Sequence, residues 1–295
     1  MPGFSRWRVS LIDQTMRVVI TGGTGQLGRA LARQLASGHE VFALGRRELD
    51  VTHPDAGVKV VRLNPDVVIH CAAWTDVDGC ARDPERAYLV NALGTRNVVL
   101  GCQQAGCPLV YISTNEVFDG RSTRPYYEYD PPNPINPYGR SKLAGEQVVQ
   151  TMLDRFYIVR TAWLFGCDRE NFVTKIFRRA DTVRRLEVVT DEVGSPTYVE
   201  DLAAAIARLI ETGVYGIYHF VNSGQASRYE LAVKALELCG RRNISIRGIR
   251  LAEYRRASTP PPYSVLANLA GRTIGIEFRP WEEALAEYLR QVWPE

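Results

Sequence analysis

Tyr138 and Lys142 stand four residues apart in Tyr138-Gly139-Arg140-Ser141-Lys142. The stretch reads as a helix, so both side chains share one face. A phenol beside an ammonium suits proton transfer, because the cation favours tyrosinate and lowers the phenol pKa from about 10 toward the working range. Reduction of a carbonyl needs such a donor, since the oxygen becomes an alkoxide as hydride arrives. A hydroxyl is also needed to hold the carbonyl oxygen. Thr114, or its neighbour Ser113, ends an apolar run at Pro108–Thr114 and is the candidate. Taken alone, a tyrosine four residues before a lysine is more often an exposed pair with no chemistry.

Hydride transfer also needs a carrier, and the chain offers a cradle for one. Met16-Arg17-Val18-Val19-Ile20-Thr21 reads as a buried strand. It runs into Gly22-Gly23-Thr24-Gly25-Gln26-Leu27-Gly28, after which Leu27, Ala30, Leu31 and Leu35 recur at helical spacing. Strand, glycine turn and helix are the context of a dinucleotide fingerprint. Glycines 22, 25 and 28 allow a tight turn and close approach of a pyrophosphate, and the helix N-terminus offers it free N–H groups. An ordinary glycine-rich turn is the plainer alternative. The next strand, Glu40–Leu44, ends in Gly45-Arg46-Arg47 rather than in the acidic residue that would bind a ribose 2′-OH. Two guanidiniums suit a 2′-phosphate. The cofactor expected is therefore NADP(H), with NAD(H) as the alternative, unless the arginines are a solvated pair. Asp50-Val51 follows where an adenine pocket would lie.

These groups need a sheet to position them. Asp66–Cys71 reads as a buried strand leading into Ala72-Ala73-Trp74-Thr75, small residues at first, past which a cofactor could run. Residues 84–106 read as one helix, 119–137 as a long Pro-rich loop, 138–153 as a helix and Tyr157–Phe165 as a strand. The alternation predicts an α/β fold, a doubly wound parallel sheet (Rossmann) with a smaller C-terminal α/β substrate lobe. The expected boundaries are an N-terminal extension over 1–15, a dinucleotide-binding domain over 16–165 and a substrate lobe over 166–295, with some chain returning to the sheet. In the last part, helices are expected at 171–180, 199–212, 228–239 and 281–292, and strands at 187–189 and 217–221. Residues 1–15 read as loosely held, or as an upstream start, since Met16 opens the first strand.

Composition excludes several classes. A net charge of +3 with scattered Lys and Arg provides no strong field for nucleic acid or a membrane surface. No apolar run is long enough to span a bilayer. Six cysteines form no C-x-x-C pair and no ligand spacing with the four histidines, so no metal is expected and the cysteines read as small buried hydrophobes of a reducing cytoplasm.

At the level of motifs the chain resembles the dTDP-4-dehydrorhamnose reductase family of the extended short-chain dehydrogenase/reductases, over about residues 16–292. The resemblance rests on GGTGQLG (22–28), CAAWTDVD (71–78), ISTNEVFDG (112–120), PYYEYDPPNPINPYGRSKLAGE (125–146), RTAWLFG (160–166), DEVGSPTYVEDLA (191–203), YHFVNSG (218–224) and WEEALAEYL (281–289). It implies NAD(P)H-dependent reduction of the 4-keto group of a nucleotide sugar, by a cytoplasmic monomer or homodimer. It further implies a cofactor site of Gly25, Gln26, Leu27, Asp50, Val51, Ala72, Ala73, Trp74, Thr75, Asn91 and Ile112, with Tyr138 and Lys142 serving both cofactor and catalysis. Thr114, Asn115 and Trp163 would touch the sugar, although Trp163 also reads as a core aromatic. The family usually has S-T-D-Y-V-F where this chain has Ser113-Thr114-Asn115-Glu116-Val117-Phe118. Asn115 keeps a hydrogen-bonding group without charge. Glu116 puts a carboxylate where an aromatic is usual, which suits a diphosphate ligand only if it turns away or meets an arginine. An arginine for the nucleotide is expected at Arg255 or Arg256. The alternatives are a reductase or epimerase of another nucleotide sugar, and a non-catalytic NADP-binding regulatory subunit.

Overall fold

The computed structural model describes residues 15–241 and 243–293. All but the last residue of the expected N-terminal extension lies outside them. The first half alternates strictly. β1 (Arg17–Thr21), α1 (Gln26–Leu35), β2 (Glu40–Leu44), α2 (Ala56–Arg62), β3 (Val67–His70), two short helices α3 (Val77–Arg82) and α4 (Pro84–Tyr88), α5 (Gly94–Ala105), β4 (Leu109–Thr114), α6 (Pro137–Met152) and β5 (Phe156–Thr161) follow one another. Then come β6 (Leu164–Phe165), α7 (Phe172–Thr182), β7 (Arg185–Val189), β8 (Val193–Gly194), β9 (Thr197–Tyr198), α8 (Val199–Thr212), β10 (Gly216–His219), β11 (Ala226–Ser227), α9 (Arg228–Leu238), β12 (Ser245–Ile249), α10 (Leu269–Thr273) and α11 (Trp281–Val292).

Six strands form one parallel sheet in the order β10-β5-β4-β3-β1-β2. The strands are runs of Val and Ile, as expected where both faces are covered. α1 and α8 bury Leu27, Leu31, Leu202 and Ile206 on one face, and α2, α5 and α6 bury Val60, Val98 and Val149 on the other. The chain order reverses between β1 and β3, so their carboxyl ends border the crevice where doubly wound sheets take their ligands. A separate core joins α7, α9 and α11 through Phe177, Leu231 and Leu285, beside the parallel pair β7–β12. β12 has no counterpart in the sequence reading, because Ser245-Ile246-Arg247-Gly248-Ile249 is short and mostly exposed.

Two expected elements are broken, both beside the site. The helix over 84–106 contains a π-helical turn at Leu89–Leu93, an extra residue that turns Asn91 inward. The strand over 157–165 stops at Thr161, because Trp163 takes a left-handed conformation at φ +46. Among the described residues no helix is long and apolar enough to cross a membrane.

Candidate active site

At the end of β1, Gly22 has φ +67, and a Cβ there would lie 2.7 Å from the Ala72 nitrogen. A Cβ on Gly28 would lie 2.4 Å from the Gly22 carbonyl oxygen, so glycine is what lets α1 sit against the turn. Gly25 caps α1 in extended conformation and brings no side chain, which leaves the first-turn N–H groups to a ligand. Gln26 Nε2 is buried with no protein partner among the described residues. An unpartnered amide beside free helix N–H groups and a closely pressed glycine turn fits the pyrophosphate of a dinucleotide.

Arg46 and Arg47 are exposed beyond β2, with the Arg46 side chain 73% accessible. The strand end is not free of carboxylate, contrary to the sequence reading. Asp50 Oδ2 accepts from Arg46 Nε at 3.0 Å, while Asp50 Oδ1 accepts from the Thr52 hydroxyl at 2.7 Å. The Thr52 hydroxyl first, and then Arg46, hold the Asp50 carboxyl below its ordinary range. The Val51 side chain is buried in the core against Gly94.

Ala72, Ala73 and Trp74 are half-buried and Thr75 exposed beyond β3. Asn91 fixes this segment. Its Oδ1 accepts from the Trp74 nitrogen at 2.7 Å, and its Nδ2 donates to the Trp74 carbonyl at 3.1 Å and to Ser141 Oγ at 2.9 Å. Its amide is thus committed to the protein, where it joins the segment after β3 to α6. Ile112 is half-buried beside the core under α1.

Tyr138 and Lys142 lie in the first two turns of α6, which Pro137 opens and Asn136 caps by accepting from the Gly139 nitrogen at 2.8 Å. Thr114 ends β4 in register with Thr161 of β5, with its hydroxyl near enough to the Tyr138 phenol to act on it. The same hydroxyl accepts from the Glu116 nitrogen at 3.2 Å. Lys142 is 2% exposed, with Nζ 4.0 Å from the centroid of the Tyr111 ring. The phenol is not lowered as the sequence reading expects. Burial, then the charge of Glu116, push it well above its ordinary value. Burial also lowers Lys142 to about 7, against the opposing pull of Glu146. Both groups are desolvated, so each neutral form is favoured. A protonated phenol is the form that can donate to an alkoxide.

Beneath this pair lies an anchor that the sequence reading missed. Arg160 donates to Glu146 through Nε at 2.9 Å and Nη2 at 2.7 Å, with side chains only 2% and 0% exposed. Ser113 Oγ donates to the same carboxylate at 2.5 Å. The pair ties β4, β5 and α6 together under Thr114 and Tyr138. The available signal was an arginine inside the apolar run Tyr157-Ile158-Val159-Arg160 and a glutamate one helical turn beyond Lys142.

On the opposite side stand the residues expected at a sugar. Asn115 is buried, donating to Ser264 Oγ at 2.6 Å and accepting from Thr114 at 3.2 Å, so its amide already joins β4 to the segment over 255–266. Trp163 packs on Gly194, and the Arg228 guanidinium lies 3.5 Å from its ring centroid. Arg256 Nε donates to Asp78 Oδ1 at 3.1 Å, whereas Arg255 is exposed. Of the two arginines considered for the nucleotide, Arg256 is the one fixed by a carboxylate. Asp78, Glu192 and Arg228 were not singled out, because a single charge on a loop or a helix start carries no periodic signal.

Comparison with known proteins agrees with this arrangement. A family model described as the RmlD substrate binding domain matches residues 16–293. The spore coat polysaccharide biosynthesis protein SpsK of Bacillus subtilis (strain 168) is 40% identical over 281 residues, covering 93% of this chain and 97% of that protein. A dTDP-4-dehydrorhamnose reductase of Mycolicibacterium smegmatis is 40% identical over 297 aligned positions, 99% of this chain and 90% of that protein. The crystal structure of a dTDP-4-dehydrorhamnose reductase from Bacillus anthracis in complex with NADP superposes with a TM-score of 0.91 at 38% identity, covering 94% of this chain and 100% of that one. A glycine cradle, a threonine–tyrosine–lysine site at the carboxyl ends of a parallel sheet and a match along nearly the whole chain lead to one conclusion: the chain belongs to the RmlD substrate binding domain family, that of the dTDP-4-dehydrorhamnose reductases.

Proposed function

We propose that this chain reduces the 4-keto group of dTDP-4-dehydro-6-deoxy-L-mannose with NADPH and forms dTDP-L-rhamnose. The observation that carries the reading is the meeting of Thr114, Tyr138 and Lys142 at the carboxyl end of β4, with Lys142 close enough to the end of β3 to act on His70 and Cys71. Residues 16–165 hold the dinucleotide and residues 166–295 mainly the sugar nucleotide. Bound NADPH supplies the hydride. Tyr138 gives its proton to the carbonyl oxygen, Thr114 orients that oxygen, and Lys142 hydrogen-bonds the nicotinamide ribose. The first turn of α1 holds the pyrophosphate, and Arg46 and Arg47 hold the 2′-phosphate. Arg228 and Arg256 face the diphosphate of the sugar nucleotide. The enzyme works in the cytoplasm, as a monomer or homodimer. All three catalytic side chains are present, which favours an enzyme over a regulatory subunit that only binds NADP.

A second sugar is kept in view by one relative. A Streptomyces niveus protein, 38% identical over 277 residues, is named dTDP-4-keto-6-deoxy-D-glucose reductase. The proposed role of Tyr138 is tested by Tyr138→Phe. The variant should lose about 10²–10⁴-fold in kcat while its NADPH affinity, read by fluorescence titration, stays within about twofold. Full activity in the variant would overturn the mechanism.

A further inference from the structure

Glu116 is an acidic side chain beside Tyr138 that the mechanism leaves idle. Its carboxyl is half-buried beside Tyr138. Asn136 Nδ2 donates to Oε2 at 2.6 Å, and Oε1 has no protein partner among the described residues. Asn136 also caps α6 and donates to the Thr259 carbonyl at 3.2 Å, so the carboxyl is held by the residue that joins the catalytic helix to the segment over 255–266. Among the described residues Glu116 has no salt bridge of its own. The nearby cations are committed to other carboxylates, Arg228 to Glu192 at 3.0 Å and Arg256 to Asp78 at 3.1 Å. The groups facing it are Tyr138 from α6, Cys80 from α3, Glu192 before β8, Arg228 from α9 and Arg256.

We propose that Glu116 is a ligand-binding residue that receives the nucleotide sugar as a neutral acid, offering a hydrogen bond from its free oxygen, so that the chain takes up one proton when that ligand binds. The proposal rests on the nucleotide-sugar reading given above. A diphosphate brings two negative charges to Arg228 and Arg256, and a half-buried, unpaired carboxylate among them is unfavourable unless it is protonated. Burial first, and Glu192 next, already raise the Glu116 carboxyl to about 7, so the proton is available near neutrality. Added anionic charge raises its proton affinity further, and linkage then requires ligand affinity to fall as pH rises past this range.

The test is calorimetric titration of dTDP-L-rhamnose, which has no group titrating near neutrality, into the NADPH-loaded full chain. Two buffers of different ionisation enthalpy at about pH 8 report proton uptake. The wild type should take up close to one proton, and its Kd should rise about tenfold per pH unit above about 7. Glu116→Gln keeps the size and the acceptor for Asn136, and should bind with no uptake and a flat pH profile. Glu192→Gln should keep the uptake. Binding without uptake in the wild type, or uptake that survives in Glu116→Gln, would overturn this inference alone. Failure of dTDP-L-rhamnose to bind the wild type at any pH would overturn the nucleotide-sugar reading and this inference with it.

Discussion

Arg160→Met removes one half of the ion pair under the catalytic residues. Arg160 and Glu146 make two hydrogen bonds at 2.9 and 2.7 Å, and both side chains are almost fully buried. Methionine fills much of the arginine's volume, so the cavity it leaves is small. The main cost is the Glu146 carboxylate, left with Ser113 as its remaining side-chain partner. Stranding one member of a buried pair costs about 3–5 kcal/mol, whereas replacing both by apolar groups of similar size is often neutral. Arg160→Met is therefore expected to lose about 3–5 kcal/mol in urea unfolding followed by circular dichroism. Glu146→Leu combined with Arg160→Met should regain most of that loss, within about 1.5 kcal/mol of wild type. The double variant should still be impaired in kcat, because Ser113 and α6 lose the group that fixes them against β5. A single variant that loses less than about 1 kcal/mol, or a double as unstable as the single, would refute the reasoning.

Three further outcomes follow from the geometry. Burial lowers His70 and His219 to about 3, so both are neutral when folded while the unfolded chain protonates them below about 6.5. A depressed folded pKa means stability present above the unfolded value and lost as pH falls, about 2 kcal/mol per histidine by about pH 5, to be read from denaturant midpoints at neutral and acid pH; an unchanged midpoint would contradict it. Arg46→Ala with Arg47→Ala should raise KM for NADPH at least about tenfold more than KM for NADH, and equal effects on both would mark the arginines as a solvated pair. Gly28→Ala places a methyl 2.4 Å from the Gly22 carbonyl and should weaken NADPH binding by more than about tenfold, read by fluorescence titration, with wild-type affinity as the contradicting result.

What was legible in the sequence were features written locally. The cradle followed from an apolar strand, three glycines and a helical repeat, and α8 and α11 span the residues read from their apolar faces. Departures lie where long-range contacts override local pattern. The π turn holding Asn91 exists because its amide meets Trp74 and Ser141 across the chain. Trp163 breaks a stretch that reads as continuous strand, because its indole packs on Gly194 and under Arg228. The Arg46–Asp50 pair and the raised phenol of Tyr138 depend on side-chain placement and burial, which spacing does not encode. Glu116 was visible as an unusual residue, yet its amide partner and its lack of a paired cation belong to the fold alone.

The most direct test of the central claim is NADPH oxidation by the purified chain with dTDP-4-dehydro-6-deoxy-L-mannose generated in a coupled system from dTDP-glucose. Falling NADPH absorbance, with dTDP-L-rhamnose as the product and turnover cut about 10²–10⁴-fold in Tyr138→Phe, is the predicted result. A protein that binds NADPH and leaves this ketone unreduced would contradict the assignment and turn the search to other nucleotide sugars.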